Sequence, residues 1–524
     1  MPPDPIRRHG KPSCNFTFKQ LPELQNCVSS MKRLEQTDNT IPMSAKMYDF
    51  IIIGTGPAGL AAAMTAAKSG RKVLVLEKEG SLGGVCVNTG TFPSKTLREA
   101  VLHLTGHLKR KVFEDDYCSM RNAEISMEKL KQRLHAVRIE EQAIITCQLE
   151  RNGIDIIRGT GRFLDSDTVS VHKVEGGEDI TVQGERIIIA TGSHPRNPPH
   201  IPFDHETIVD STSILGIKKI PETMIILGGG VIGSEYATIF AALGVKVTLL
   251  DRGERLLKFL DHEITEELKN NFPGGNITYI NNCGDFRIER ANGGPKLTLA
   301  DDRIFRAECL FFALGREANT SGLDIEKAGI GLNAHHYIEV NERYQTSSPN
   351  IYAVGDVIGW PSLASTSIAQ GRLAAMNGMK TRVESFPTIF PFGIYTIPEI
   401  SYVGITEEEA RAKDYKIVIG RCMYHELPRG QISGECEGML KMIVHRDTRE
   451  ILGVHIIGGG ATEVIHIAQT ALIYHARIDI FIDNIFNYPT YSEALKIAAL
   501  SASNKLLGKS REDEACSRLL AQKG

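Results

Sequence analysis

Asp49-Phe50-Ile51-Ile52-Ile53-Gly54-Thr55-Gly56-Pro57-Ala58-Gly59 and Met224-Ile225-Ile226-Leu227-Gly228-Gly229-Gly230-Val231-Ile232-Gly233 are the two stretches that decide the fold. Each is an apolar run, read as a buried strand, that breaks into G-x-G-x-x-G. An acid ends the next apolar run in both cases: Glu77 closes Val73-Leu74-Val75-Leu76, and Asp251 closes Val247-Thr248-Leu249-Leu250. The landmarks superimpose at one offset of 174, given by 228−54, 230−56, 233−59 and 251−77 alike. One such glycine pattern is weak evidence in a chain with 49 glycines; two in the same frame are strong. The first glycine makes the tight turn and the second lets the backbone approach a pyrophosphate. The third lets the following helix pack on the strand, so that its N-terminal amides face the phosphates. The terminal carboxylate can accept hydrogen bonds from an adenosine ribose. The chain is therefore predicted to hold two dinucleotides, one at Gly54, Gly56, Gly59 and Glu77, the other at Gly228, Gly230, Gly233 and Asp251.

Composition narrows the class. At 524 residues, 42% hydrophobic and 23% charged, the chain reads as an ordinary globular protein of about three domains. A net charge of −3 gives no electrostatic case for binding nucleic acid or an anionic membrane. No apolar run reaches the length of a membrane span. The ten cysteines are scattered without C-x-x-C pairing, which fits a reducing, cytoplasmic setting better than a disulfide framework. Residues 1–46 are polar and proline-rich, with no sustained period and no secretory pattern; they read as a disordered or extraneous extension. No metal-ligand spacing is found among the histidines.

The pattern along the chain predicts an α/β fold with two Rossmann-like dinucleotide-binding domains and a C-terminal α+β domain. The first domain comprises 47–195 and 316–386. The second, 196–315, is inserted into it and holds the second glycine pattern. The third spans 387–508, and 509–524 is a charged tail.

Three further phrases carry a resemblance. They are Gly83-Gly84-Val85-Cys86-Val87-Asn88-Thr89-Gly90-Thr91-Phe92-Pro93-Ser94-Lys95, Tyr352-Ala353-Val354-Gly355-Asp356, and Pro489-Thr490-Tyr491-Ser492-Glu493. With the two glycine patterns, the chain from about 47 to 508 resembles the two-dinucleotide flavoprotein disulfide reductases, such as dihydrolipoamide dehydrogenase and glutathione reductase. The resemblance implies FAD at Gly54, Gly56, Gly59, Glu77, Gly83, Gly84, Cys86, Thr91, Lys95, Gly192, Gly355 and Asp356. It implies a nicotinamide dinucleotide at Gly228, Gly230, Gly233, Asp251, Arg252 and Gly315. It also implies a homodimer whose C-terminal domain, at Asn487 to Glu493, approaches the partner's flavin.

The departures matter more than the matches. The reductases carry C-x4-C, but here Cys86 is followed five positions later by Thr91. They carry a histidine before the Pro-Thr of the last phrase, where this chain has Tyr488. Loss of both sulfur and proton relay, with both dinucleotide sites kept, resembles the soluble, flavin-dependent pyridine nucleotide transhydrogenases. That resemblance implies Si-specific hydride exchange between NAD(H) and NADP(H), visiting one pocket in turn, with FAD between them. It places Lys95 beside the flavin, paired with Glu235. Cys86 is read as a small residue packed against the flavin, not as a nucleophile. Asp251 favours an unphosphorylated ribose, while Arg252, Arg255 and Lys258 offer charge to a 2′-phosphate. Three alternatives stay open: an NAD(P)H oxidoreductase acting on a quinone or other small acceptor, a non-catalytic nucleotide sensor, and a thiol-disulfide reductase.

Overall fold

The computed structural model describes residues 46–106, 125–174, 176–381 and 385–508. The extension expected before residue 47 and the tail expected after 508 lie, Lys46 aside, outside the described residues. The chain opens with strand β1 (Lys46–Ile53), helix α1 (Pro57–Lys68) and β2 (Val73–Glu77). Helices α2 (Gly84–Asn88), α3 (Thr91–Thr105) and α4 (Met127–Arg151) follow, then strands β3 (Asp155–Phe163), β4 (Thr168–Lys173), β5 (Ile180–Ile189) and β6 (Ser193–Pro195). The next unit runs β7 (Ile208–Val209), β8 (Thr223–Leu227), α5 (Val231–Ala242), β9 (Lys246–Leu250), α6 (His262–Asn270) and β10 (Ile277–Ile280). It continues through β11 (Phe286–Ala291), β12 (Gly294–Leu299), β13 (Ile304–Arg306) and β14 (Cys309–Phe312). After β15 (Arg316–Ala318) come β16 (Ile351–Ala353) and α7 (Ala364–Gly378). The last unit holds β17 (Phe392–Ile394), β18 (Ile400–Gly404), α8 (Glu407–Ala412), β19 (Ile417–Met423), β20 (Met439–His445), β21 (Ile451–Ile457), α9 (Ala461–Ile473) and α10 (Glu493–Leu506).

Runs of Ile, Leu and Val that show no alternation belong to strands covered on both faces, as in a parallel sheet. Ile51, Ile52, Leu74, Val75, Ile187 and Ile188 are all fully buried. They lie in a parallel array ordered β3-β2-β1-β5-β16, and β4 bridges the outer ends of β3 and β5 in antiparallel pairing. The second unit repeats the plan as a parallel sheet β10-β9-β8-β14-β7, with a small antiparallel sheet β11-β12-β13 at its side. The chain enters this unit after β6 and leaves it at β15, and those two strands pair antiparallel as a two-stranded ribbon. The C-terminal unit is an antiparallel sheet β17-β18-β21-β20-β19 packed against α9 and α10. The architecture is the predicted α/β fold with two doubly built units and a C-terminal α+β unit.

Where the units meet, the core is continuous. Leu97 and Val101 of α3, Tyr236 and Phe240 of α5, and Ile394, Ile397 and Ile400 of the last unit share one apolar cluster. Cys86, Cys283, Cys309, Cys422 and Cys436 are free thiols. Cys147 is disulfide-bonded, so the expectation of reduced cysteines fails at that position. No described helix is long and apolar enough to cross a membrane.

Candidate active site

The two glycine patterns fold into two cradles with closely matching glycine geometry. Gly54 (φ +107°) and Gly228 (φ +112°) turn the chain from strand to helix. A Cβ on either would lie 2.5 or 2.6 Å from a carbonyl oxygen, of Ala190 and Ala313 respectively. A Cβ on Gly59 would lie 2.0 Å from the Gly54 oxygen, and one on Gly233 would lie 1.8 Å from the Gly228 oxygen. Only glycine lets α1 and α5 approach their strands this closely. Gly56 and Gly230 are the extended N-cap residues of α1 and α5, and nothing stands within 4 Å of a Cβ built on either. Having no side chain, they leave the first helical amides to an incoming anion.

At the first cradle, Glu77 is 4% exposed and accepts hydrogen bonds from Thr55 N (3.1 Å), Glu79 N (3.0 Å) and the Thr55 hydroxyl. The same hydroxyl accepts from Gly83 N at 2.9 Å. Thr55 thereby fixes the carboxylate and ties the Gly83-Gly84 turn to the cradle; a Cβ on Gly84 would sit 2.9 Å from Gly56 Cα. Sequence reading passed over Thr55, because it occupies a variable position of the pattern. On the far side, Asp356 accepts from Ser193 Oγ at 2.7 Å, and Arg316 Nε donates to that same Oγ at 2.8 Å. Gly355 N donates to Gln370 at 2.8 Å. Gly192 and Gly315 adopt φ of +71° and +102° beside open space.

At the second cradle the Asp251 carboxylate lies over Gly229, where a Cβ would come within 2.6 Å of Oδ2. The backbone after it is pinned: Cys283 N donates to Asp251 O (2.9 Å), Asn282 N to Gly253 O (3.0 Å) and Asn281 Nδ2 to Glu254 O (2.7 Å). Arg252 and Lys258 are exposed. Arg255 is not available in the way its position suggested. Its guanidinium donates to Lys258 O (2.8 Å) and Leu260 O (2.9 Å) and lies 3.5 Å from Glu408, so it braces the loop from within.

Between the cradles, Lys95 of α3 and Glu235 of α5 meet at 2.8 Å. Glu235 is 5% exposed at its side chain and also accepts Tyr395 N at 2.8 Å, while Lys95 Nζ lies 4.8 Å from the Tyr395 ring centre. The pair thus joins both cradle units to the last one. Cys86, in α2, is half-buried; burial pushes its thiol up, and a hydrogen bond with Thr91 only partly offsets this. Thr91 occupies the place a second sulfur would need. Tyr488 is 72% exposed, in the segment that the resemblance sends toward a second subunit.

A family model described as pyridine nucleotide-disulphide oxidoreductase matches residues 48–371, and the dimerisation domain of the same family matches 390–499. The chain belongs to the pyridine nucleotide-disulphide oxidoreductase family. Within that family it is 42% identical to a soluble pyridine nucleotide transhydrogenase of Mycobacterium bovis over 459 residues, 88% of this chain and 98% of the relative. It is 40% identical to one from Marinomonas sp. over 88% of this chain and all of the relative. Among solved structures, the HOCl-induced flavoprotein disulfide reductase RclA from Escherichia coli superposes with a TM-score of 0.78 at 28% identity, covering 86% of this chain and 99% of the other. LpdA from Mycobacterium tuberculosis gives the same TM-score at 26% identity, covering 86% and 99%. The family name refers to a disulphide, yet this member pairs Cys86 with Thr91.

Proposed function

We propose that this protein is a soluble, FAD-dependent transhydrogenase that moves a hydride reversibly between NADH and NADP+. The observation that carries the reading is the coexistence of two intact cradles with a flavin-side cysteine that faces Thr91 instead of a second sulfur. Relatives named as transhydrogenases over nearly their full length support it. We assign FAD to 47–195 with 316–386, the nicotinamide coenzymes to 196–315, and dimerisation to 387–508.

FAD fits the first cradle on three counts: the open space at Gly56, the buried Glu77 carboxylate aimed by Thr55, and Asp356 held by Ser193. FAD held there would supply a two-electron carrier for the hydride between the two coenzymes. The chain's own work is binding and orientation. The amides of α1 and α5 hold pyrophosphates, Glu77 and Asp251 hold riboses, and the Lys95 ammonium places positive charge beside the ring site, anchored by Glu235. Exposed apolar side chains, among them Trp360 (75%), Ile485 (92%) and Tyr488 (72%), suit burial against a second copy.

One nicotinamide cradle for two coenzymes requires ping-pong kinetics. Initial rates with NADH and thio-NADP+ should give parallel double-reciprocal lines; intersecting lines would reject the shared pocket. If transfer is Si-specific, NADH deuterated at 4S should yield unlabelled NAD+, and NADH deuterated at 4R should yield NAD+ that keeps the label. Turnover with quinones but none with thio-NADP+ would move the reading to an NAD(P)H oxidoreductase.

A further inference from the structure

A single pocket that serves both coenzymes must hold a ribose with a free 2′-hydroxyl and one with a 2′-phosphate, and the two make opposite demands. The phosphate carries close to two negative charges at neutral pH, and Asp251 stands beside it. The loop carrying Asp251 and Arg252 has a fixed backbone, pinned by Asn281, Asn282 and Cys283. Any adjustment therefore falls to side chains. Arg255 is turned into the loop, its Nη2 donating to Lys258 O and Leu260 O and its Nη1 lying 3.5 Å from Glu408. Arg252 is different. It is 54% exposed at its side chain, and a single carboxylate, Asp285, holds it at 3.2 Å. Its guanidinium rests over the Phe286 ring at 5.0 Å. Asp285 is itself 91% exposed, so the pair is weakly bound and readily exchanged.

We propose that Asp285 is an internal stand-in for the 2′-phosphate. With NAD(H) in the pocket, Arg252 stays on Asp285 and Phe286, leaving Asp251 to the ribose hydroxyls. With NADP(H), the phosphate displaces Asp285 as the counter-ion of Arg252, and the freed guanidinium offsets the charge of Asp251. Competition from Asp285 thus lowers the affinity for NADPH alone and eases its release. This rests on the proposed role of the second cradle as the site of both coenzymes, with Arg252 as the phosphate's partner.

The test is equilibrium binding of NADPH and NADH to the FAD-loaded protein, followed by titration calorimetry, for Asp285→Asn, Arg252→Ala and the double variant. Releasing a surface ion pair should tighten NADPH binding by about two- to fivefold in Asp285→Asn, with NADH within about twofold of the parent. In the Arg252→Ala background the Asp285→Asn effect should vanish, because the carboxylate acts through the guanidinium. An equal gain in both backgrounds would show a general charge effect and overturn the proposal. So would no gain in Asp285→Asn while Arg252→Ala weakens NADPH. If Arg252→Ala leaves NADPH affinity unchanged, the assignment of Arg252 to the phosphate fails instead.

Discussion

Replacing Lys95 by methionine, and separately Glu235 by glutamine, should have unequal consequences. Lys95 is 27% exposed at its side chain, whereas Glu235 is 5% exposed, so the two charges are not equally dependent on each other. In Lys95→Met the Glu235 carboxylate stays buried with a single amide donor, from Tyr395. Breaking a buried pair this way typically costs 3–5 kcal/mol; the retained amide donor puts this case near the lower end, about 3 kcal/mol. In Glu235→Gln the side-chain oxygen still accepts from Tyr395, and Lys95 keeps water and the Tyr395 ring. What is lost is one charge-assisted hydrogen bond, about 1.5 kcal/mol. The double variant should resemble Glu235→Gln, leaving a coupling of about 3 kcal/mol between the sites. Urea unfolding of the FAD-loaded proteins measures this directly. Equal costs for the two single variants, or simple additivity in the double, would refute the reasoning. The same proteins separate support from catalysis: flavin reduction by NADH should slow in Lys95→Met that retains FAD, and an unchanged rate would leave Lys95 with a structural role only.

Cys86→Ser should keep transhydrogenation within about twofold, and Cys86 should alkylate more slowly at pH 8 than an exposed thiol, since burial holds it protonated; abolished turnover would reinstate a sulfur mechanism. Gly59→Ala should release FAD and Gly233→Ala should release NAD(P)H while keeping the flavin colour, because each new Cβ meets backbone oxygen at 2.0 or 1.8 Å. Lys441→Met should cost about 3–5 kcal/mol, since Lys441 meets Asp261, Glu263 and Glu407 at 2.9, 3.1 and 2.7 Å, and its loss leaves the buried Asp261 without that cation while Glu263 and Glu407 keep Arg421 and Arg411. Burial pushes Glu263 and Glu407 upward, but Arg421, Lys441 and Arg411 outweigh it, so both carboxyls sit below their usual range. Depressed carboxyls contribute stability above their unfolded pKa and lose it as pH falls through the folded value; the penalty of Lys441→Met should therefore shrink as pH drops toward about 4.

What could be read from the sequence was what is local in it. The cradles depend on residues within about two dozen positions of one another, so spacing alone exposed them, and with them the parallel sheets and the order of the units. Pairings across long separations left no trace. Lys441 reaches Asp261 over 180 positions, and Arg316 reaches Ser193 over 123. Neither residue stands out in a linear scan, since an isolated lysine or arginine reads as solvated. Thr55 was hidden by degeneracy: the pattern accepts many residues there, and only the fold shows a hydroxyl bridging Glu77 and Gly83. Arg255 was misleading for the opposite reason. Its position after Asp251 suggested a phosphate ligand, but the loop folds back and two of its own carbonyls engage the guanidinium.

The inserted unit is fastened at more than its entry ribbon. Lys441 grips Asp261 from the last unit, Ile397 N donates to Thr238 Oγ1 at 3.1 Å, and Glu235 bridges to Lys95 and Tyr395. Any outward swing of a body fastened on two sides would have to break these contacts. On the shared-pocket proposal, spent coenzyme leaves by the doorway through which its successor enters, and a surplus of either nucleotide should slow turnover by crowding that threshold.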